Sequence, residues 1–106
     1  MNSSRLSQLL DFLKNDPKDA FTLYAIATEY KSTDPQEALK YFEILLQEHP
    51  DYLATYYHVA HLYLELEEDE KAEAAFKKGI ELAQKQENAL SLRELQNAYN
   101  EFLFED

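Results

Sequence analysis

The chain has 106 residues with 21 acidic and 10 basic side chains, which gives a net charge of −11, and it contains no cysteine. This length fits one domain with a single core. The negative charge repels phosphate backbones and anionic membrane surfaces, so it argues against nucleic-acid and membrane partners and favours basic ones. The lack of cysteine excludes disulfides, thiolate metal sites and thiol redox chemistry.

The scarcity of turn-forming residues indicates an all-helical chain. One glycine and three prolines leave little turn chemistry for β-hairpins. Gly79 stands alone in its segment, so the sequence has no glycine-rich phosphate loop and we expect no cofactor. The first residues have neither the order of a signal peptide nor a lipidation motif, and no apolar run is long enough to span a membrane. We therefore expect a cytoplasmic protein.

Five breaks divide the chain into six predicted helices. Pro17, Pro35 and Pro50 stand in the first three breaks, where each disfavours helix at the residue before it. Asp34 followed by Pro35 is the clearest helix start, because aspartate accepts hydrogen bonds from a first turn and proline fits the first helical position. The breaks lie at 15–19, 31–36, 48–52, 67–70 and 85–88.

Apolar residues recur three and four apart in these segments, which places them on one helical face. Helices of this length owe their stability in water to packing, so we expect each one to bury its apolar face. The clearest stripes are Leu6, Leu9, Leu10 and Leu13 in the first segment, and Tyr56, Val59, Ala60, Tyr63 and Leu64 in the fourth.

The sequence repeats itself with a period of 33 to 34 residues. The extra residue falls in the turn between paired helices, where an insertion costs little. The matching pairs are Pro17 and Pro50, Ala27 and Ala60, Tyr30 and Tyr63, Ala38 and Ala72, Phe42 and Phe76, and Leu46 and Ile80.

The pattern resembles the tetratricopeptide repeat family, in which the first helix carries a large residue, leucine, a small residue and an aromatic, and the second carries alanine, an aromatic, a small residue and proline. Small residues let the helices approach closely and the aromatics fill the remaining space. Leu45 and Gln84 depart from the pattern. The matching residues are Leu23, Ile26, Ala27, Tyr30, Ala38, Phe42 and Pro50 in the first copy, and Tyr56, Val59, Ala60, Tyr63, Ala72, Phe76 and Gly79 in the second.

The resemblance implies an all-α fold, a right-handed α-solenoid of antiparallel helix pairs with about six helices, in a single domain over 1–106. Within it we expect an N-terminal half-repeat helix at 3–16, the first repeat at 18–50, the second at 51–84 and a capping helix at 87–104. The initiating Met1 and the capping helix predict a complete protein. The cap would turn a polar side outward.

The resemblance also implies a non-catalytic adaptor, since the first helix of each pair lines a concave groove in this family. Tyr24 and Tyr57 occupy matching groove positions, and rings with a polar tip suit recognition of a peptide or partner domain. We expect that partner to be basic or apolar. The groove positions are Phe21, Tyr24, Thr28 and Lys31 in the first copy, Tyr57, His61 and Leu64 in the second, and Arg93 and Asn97 in the last helix.

Some family members grip acidic C-termini with a clamp of lysine, arginine and asparagine in the groove. Here Tyr24, Thr28, Tyr57 and His61 stand where the two full copies would need such groups, and only the last helix offers arginine and asparagine. The sequence therefore predicts that acidic tails are not recognised.

Two other hypotheses stay open at this point. Eight tyrosines and the apolar "EFLF" segment at 101–104 favour a homo-oligomer that buries its groove or last helix against its own copy. His58 and His61 lie three residues apart with Glu65 one turn beyond, and two imidazoles with a carboxylate can bind Zn²⁺, although no fourth ligand is suitably spaced. The chain has no strained nucleophile elbow, so we expect no enzyme.

Overall fold

The computed structural model describes residues 3–104 of the chain, and all of the regular structure in that part is helical. This confirms the predicted all-α fold with its six helices. The chain divides into two compact units, Met1–Thr55 (unit 1) and Tyr56–Asp106 (unit 2). The helices are α1 (Ser3–Asn15), α2 (Ala20–Tyr30), α3 (Pro35–Glu48), α4 (Ala54–Glu65), α5 (Asp69–Lys85) and α6 (Ala89–Phe104).

Aspartates begin two of the helices in unit 1. The Asp19 carboxylate accepts hydrogen bonds from the Thr22 hydroxyl at 2.6 Å and the Thr22 backbone N–H at 2.9 Å. These two bonds, with a smaller contribution from nearby His49, hold the pKa of Asp19 below its usual value. Asp34 accepts from the Glu37 N–H at 3.2 Å and Pro35 follows it, so the predicted start of α3 is confirmed.

The core of unit 1 forms where α1 and α3 pack on α2. Leu6 and Leu9 of α1 are buried against Ala25 and Ile26, which confirms the predicted apolar face of the first helix. The interface of α2 with α3 is built from fully buried side chains. These are Leu23 and Ala27 on α2, and Ala38, Phe42 and Leu45 on α3.

A side-chain clip ties the turn before α2 to the end of α3. His49, the C-cap residue of α3, donates a hydrogen bond from Nε2 to the backbone carbonyl of Lys18. The Lys18 ammonium also lies 3.5 Å from the Glu48 carboxylate, a partly exposed pair of the kind that contributes little by itself. The hydrogen bond from His49 is therefore the main contact that holds the end of α3 against the turn before α2.

The core of unit 2 forms where α5 packs on α4 and α6. Phe76 and Ala72 of α5, Val59 and Leu62 of α4, and Leu95 of α6 are all buried. Gly79 of α5 lies close to both α4 and α6. A Cβ built on it would stand 2.8 Å from the Cβ of Tyr56 and 3.2 Å from a methyl of Leu95, so no larger residue fits without a shift.

Helices α4 and α5 end in the same way. Glu67 and Glu87 follow them with positive φ angles of 60° and 55°. After α4, the Glu68 N–H donates to the Tyr63 carbonyl and the Glu67 N–H donates to the Leu64 carbonyl. This is the Schellman motif, which satisfies carbonyls that the last helical turn leaves unpaired. The corresponding bonds after α5 join Asn88 to Ala83 and Glu87 to Gln84.

Candidate functional site

Three predicted groove residues lie along one side of α2 and a fourth, Lys31, is its C-cap residue; the four are spaced by three and four residues. We call Phe21, Tyr24, Thr28 and Lys31 the α2 face. Phe21 is 65% exposed, whereas the other three are half-buried. The face is therefore a surface with one prominent ring, Phe21, at its N-terminal end.

The Tyr24 ring is partly buried by contacts with two other aromatic rings. It meets Phe42 edge-on with ring centroids 6.2 Å apart and lies 5.6 Å from Tyr52. Partial burial raises the pKa of the Tyr24 phenol, and the neighbouring Tyr52 raises it further. The contact with Tyr52, which lies in the connection between α3 and α4, fixes the ring so that only part of it faces solvent.

The polar groups of the α2 face are engaged with the backbone of their own helix. The Thr28 hydroxyl donates to the Ala25 carbonyl at 2.9 Å, and the Lys31 N–H donates to the Thr28 carbonyl at 3.3 Å. Thr28 can still accept a hydrogen bond through its oxygen, but its proton is already used. The Thr28 hydroxyl proton is therefore already engaged within α2.

A cleft of about 380 Å³ between α1 and α2 includes Phe21. We call it the α1–α2 cleft. It was not predicted from the sequence, because Phe12 lies outside the leucine stripe that predicted the buried face of α1. A signal was present, since residues 5, 8 and 12 are spaced by three and four and so share a second face. The cleft is lined by Arg5, Gln8, Leu9, Phe12, Phe21 and Thr22.

In unit 2, three predicted groove residues lie on α4 at intervals of four and three residues. We call Tyr57, His61 and Leu64 the α4 face. The His61 ring lies 4.5 Å from the Tyr57 ring and 5.9 Å, edge-on, from the buried Phe76 ring. His58 meets Tyr57 edge-on at 5.9 Å. Tyr57 is therefore supported by two imidazoles and remains 38% exposed.

Two predicted residues lie on α6. Arg93 and Asn97, which we call the α6 face, are one turn apart and both exposed. On the packed side of α6, Tyr99 and Phe102 lie 5.8 Å and 6.2 Å from Phe76. The rings thus form a continuous cluster from α4 through α5 to α6.

Tyr99 anchors α6 to α5 by a second contact. Its hydroxyl donates to Glu73 Oε2 at 2.9 Å. Partial burial raises the pKa of Tyr99, and the hydrogen bond and negative charge of Glu73 raise it further. The phenol is thus held in its protonated, donating form.

The two histidines of α4 are placed beside aromatic rings. Within residues 3–104, His, Cys, Asp and Glu side chains form no group of three that could hold a metal ion. The same part of the chain contains no helix with the length and apolar character needed to cross a bilayer.

Comparison with known proteins shows similarity to tetratricopeptide repeat proteins. A family model described as tetratricopeptide repeat matches residues 29–95. The chain is 38% identical to a tetratricopeptide repeat domain protein from Salinibacter ruber solved by NMR, with a TM-score of 0.79 over 86% of this chain and 93% of that one. A crystal structure of a tetratricopeptide repeat domain protein from the same organism gives 37% identity and a TM-score of 0.78, over 83% of this chain and all of that one.

A third solved structure shares the fold at low sequence identity. The TPR2B domain of yeast Sti1, solved as a complex with pHsp70, is 18% identical with a TM-score of 0.84, over 95% of this chain and 82% of that chain. A search of the curated proteins finds no match. These similarities confirm the predicted helical-repeat fold.

Proposed function

This chain belongs to the tetratricopeptide repeat family, and on that basis we propose that it is a non-catalytic adaptor that binds a peptide segment or partner domain. We propose the α2 face of unit 1 and, separately, the α4 face and the α6 face of unit 2 as surfaces that contact a partner. The Salinibacter ruber proteins support the family assignment. The complex of the yeast domain with pHsp70 supports a peptide or protein as the kind of ligand that this fold can hold.

The observation that carries the proposal is the presentation of Tyr57. Its ring is 38% exposed, yet it contacts His58 and His61, and His61 in turn contacts buried Phe76. A ring that is supported in this way loses little side-chain entropy on binding, which is why tyrosine is frequent among residues that dominate interface energy. Tyr57 is the residue that we expect to contribute most to partner binding.

The charge of the chain favours a basic or apolar partner. The net charge of −11 attracts cationic segments over a distance of about 10 Å at moderate salt, and repels anionic ones. The three faces contain two cationic side chains, Lys31 and Arg93, on different helices. We therefore propose that this chain does not bind the acidic termini for which related proteins use a basic clamp.

The experiment is a selection of random peptides on the purified protein, followed by calorimetric titration of the selected peptides. Tyr57→Ala should weaken binding about 30-fold, since the loss of a central aromatic contact typically costs about 2 kcal/mol. Replacing the lysines and arginines of a selected peptide by glutamates should also weaken its binding to the wild-type protein. Added salt should reduce the difference in affinity between the original peptide and the glutamate peptide.

Two control variants make the result specific. Phe104→Ala removes a more exposed ring, 83% accessible, at the end of α6 and should leave peptide affinity unchanged. Tyr24→Phe keeps the ring that packs against Phe42 and Tyr52 and deletes the hydroxyl, so it tests whether that hydroxyl of the α2 face contributes to peptide affinity. Unchanged peptide affinity in a folded Tyr57→Ala variant would show that the α4 face is not the binding surface.

A further inference from the structure

Apolar side chains are exposed in two places that the proposed function does not use fully. Phe12 is 63% exposed, and it shares the α1–α2 cleft with Phe21. At the other end of the sequence, Leu103 and Phe104 are 47% and 83% exposed. Single exposed apolar residues are normal on protein surfaces, but neighbouring ones indicate a contact with another molecule.

The α1–α2 cleft combines these rings with a cation. Arg5 lines it, lies 3.5 Å from Glu29 through Nε, and keeps 55% of its side chain accessible. Lys14 is on the same helix, α1, in which Asp11 is the only residue with a carboxylate. Lys14 is paired with Asp11 at 3.6 Å, so Arg5 is the one charged side chain among the residues that line the cleft.

The end of α6 has the opposite character. Phe102 packs against Phe76 and Tyr99, which fixes the last turn on α5 while Leu103 and Phe104 stay exposed. Residues 94–106 include four carboxylates and no basic residue. Glu101, one of the four, lies exposed in that turn. The last turn of α6 thus presents two exposed apolar side chains together with the exposed carboxylate of Glu101.

From this complementarity we infer that the chain self-associates head to tail, with the C-terminal end of α6 from one copy seated in the α1–α2 cleft of another. Phe104 and Leu103 would pack against Phe12 and Phe21, and Glu101 would approach Arg5. The two patches differ, so the contact is heterologous, and each copy offers one patch of each kind to further copies.

The size of the contact makes the association weak. A few apolar side chains bury much less than the roughly 1,200 Å² of a stable interface. The net charge of −11 on each copy also opposes association at low ionic strength. We therefore expect a monomer at micromolar concentration, and a mass that increases between about 0.1 and 1 mM at about 0.15 M salt, where the Debye length is about 8 Å.

Sedimentation equilibrium of the full chain and three variants tests this inference. The average mass of the wild-type protein should rise over this concentration range. Phe12→Ala and Phe104→Ala should each weaken self-association at least tenfold, because each removes an aromatic side chain from one half of the contact. Tyr57→Ala is the matched control, and it should associate like wild type although it has lost peptide affinity.

Mixing the two defective variants gives the sharpest test. The Phe12→Ala variant retains an intact α6 end and the Phe104→Ala variant retains an intact cleft, so an equimolar mixture should form a 1:1 dimer and no larger species. Circular dichroism and thermal melting would verify that each variant is folded. A wild-type mass that stays monomeric up to 1 mM, a mixture that fails to dimerise, or a loss of association in Tyr57→Ala alone would overturn the inference.

Discussion

The absence of a Cβ atom at Gly79 lets neighbouring helices of unit 2 approach each other closely. Gly79 lies inside α5, where glycine costs about 1 kcal/mol of helix propensity relative to alanine. The structure accounts for this cost, since a Cβ at this position would meet the Cβ of Tyr56 at 2.8 Å. That atom is attached directly to the backbone of α4 and cannot rotate away. The steric cost of a Cβ at this position therefore exceeds the helix propensity that alanine would add.

We predict that Gly79→Ala destabilises the protein by about 1–2 kcal/mol, because overpacking typically costs about 1–3 kcal/mol and exceeds the gain in helix propensity. Urea denaturation monitored by circular dichroism would measure the free energy of unfolding. Lys78→Ala, at the exposed neighbouring position, is the control and should change this free energy little. A more stable Gly79→Ala variant would mean that the helices can separate at no cost.

At the scale of the element, the ends of α4 and α5 carry a local strain that is unrelated to packing. Glu67 and Glu87 adopt left-handed backbone conformations, which cost about 1 kcal/mol for residues with a Cβ. Both also place a carboxylate at the C-terminal end of a helix dipole, where negative charge is unfavourable. The Schellman hydrogen bonds hold them there nonetheless.

We predict that Glu87→Gly stabilises the protein by about 0.5–1 kcal/mol, since glycine adopts positive φ without steric cost. Glu87→Gln separates the two contributions, because it removes the charge and keeps the strain. Glu81→Gly, at an exposed position inside α5, should instead destabilise by about 1 kcal/mol. Equal destabilisation by both glycine substitutions, measured by urea unfolding, would refute the assignment of strain to Glu87.

Tyrosine ionisation affects the whole molecule. Burial is the main cause of the raised pKa of Tyr24, Tyr41 and Tyr99. A raised folded-state pKa means that stability is intact below the unfolded value of about 10 and declines as pH rises through the folded value. We therefore expect these three of the eight tyrosines to ionise late in a titration followed by ultraviolet absorbance.

Tyr24→Phe should remove one late-ionising phenol from that titration and should lessen the loss of stability above pH 10. The thermal midpoint measured between pH 8 and pH 11 would report the second effect. If all eight tyrosines of the wild-type protein ionised together near pH 10, the packing of Tyr24 against Phe42 and Tyr52 would have to be looser than the structure has it.

Much of the fold was predictable because its signals are local. The prolines and Asp34 locate helix boundaries, and the apolar spacing of α1 identifies the side that packs on α2. The left-handed Glu87 was not predictable, since nothing in a glutamate indicates positive φ. The partial burial of Tyr24 depends on Tyr52, which lies 28 positions away in the sequence. Such a contact is set by tertiary packing.

The site could be predicted only as positions on helices. The repeat indicated that Tyr57 and His61 share a helical side, but the support of the Tyr57 ring by Phe76 through His61 needs the placement of α5. Phe12 was missed because it lies outside the leucine stripe of α1. Its significance comes from Phe21, a residue of another helix.

Partner binding to the first helices of the repeats is tested most directly by an NMR titration. Uniformly ¹⁵N-labelled protein would be titrated with a peptide obtained by selection, and the shifts of backbone amides would be followed. We expect the largest changes at Phe21, Tyr24, Tyr57 and His61, with little change at exposed Lys77 and Lys78 of α5. Shifts that cluster on α5 and leave α2 and α4 unchanged would contradict the proposed binding surface.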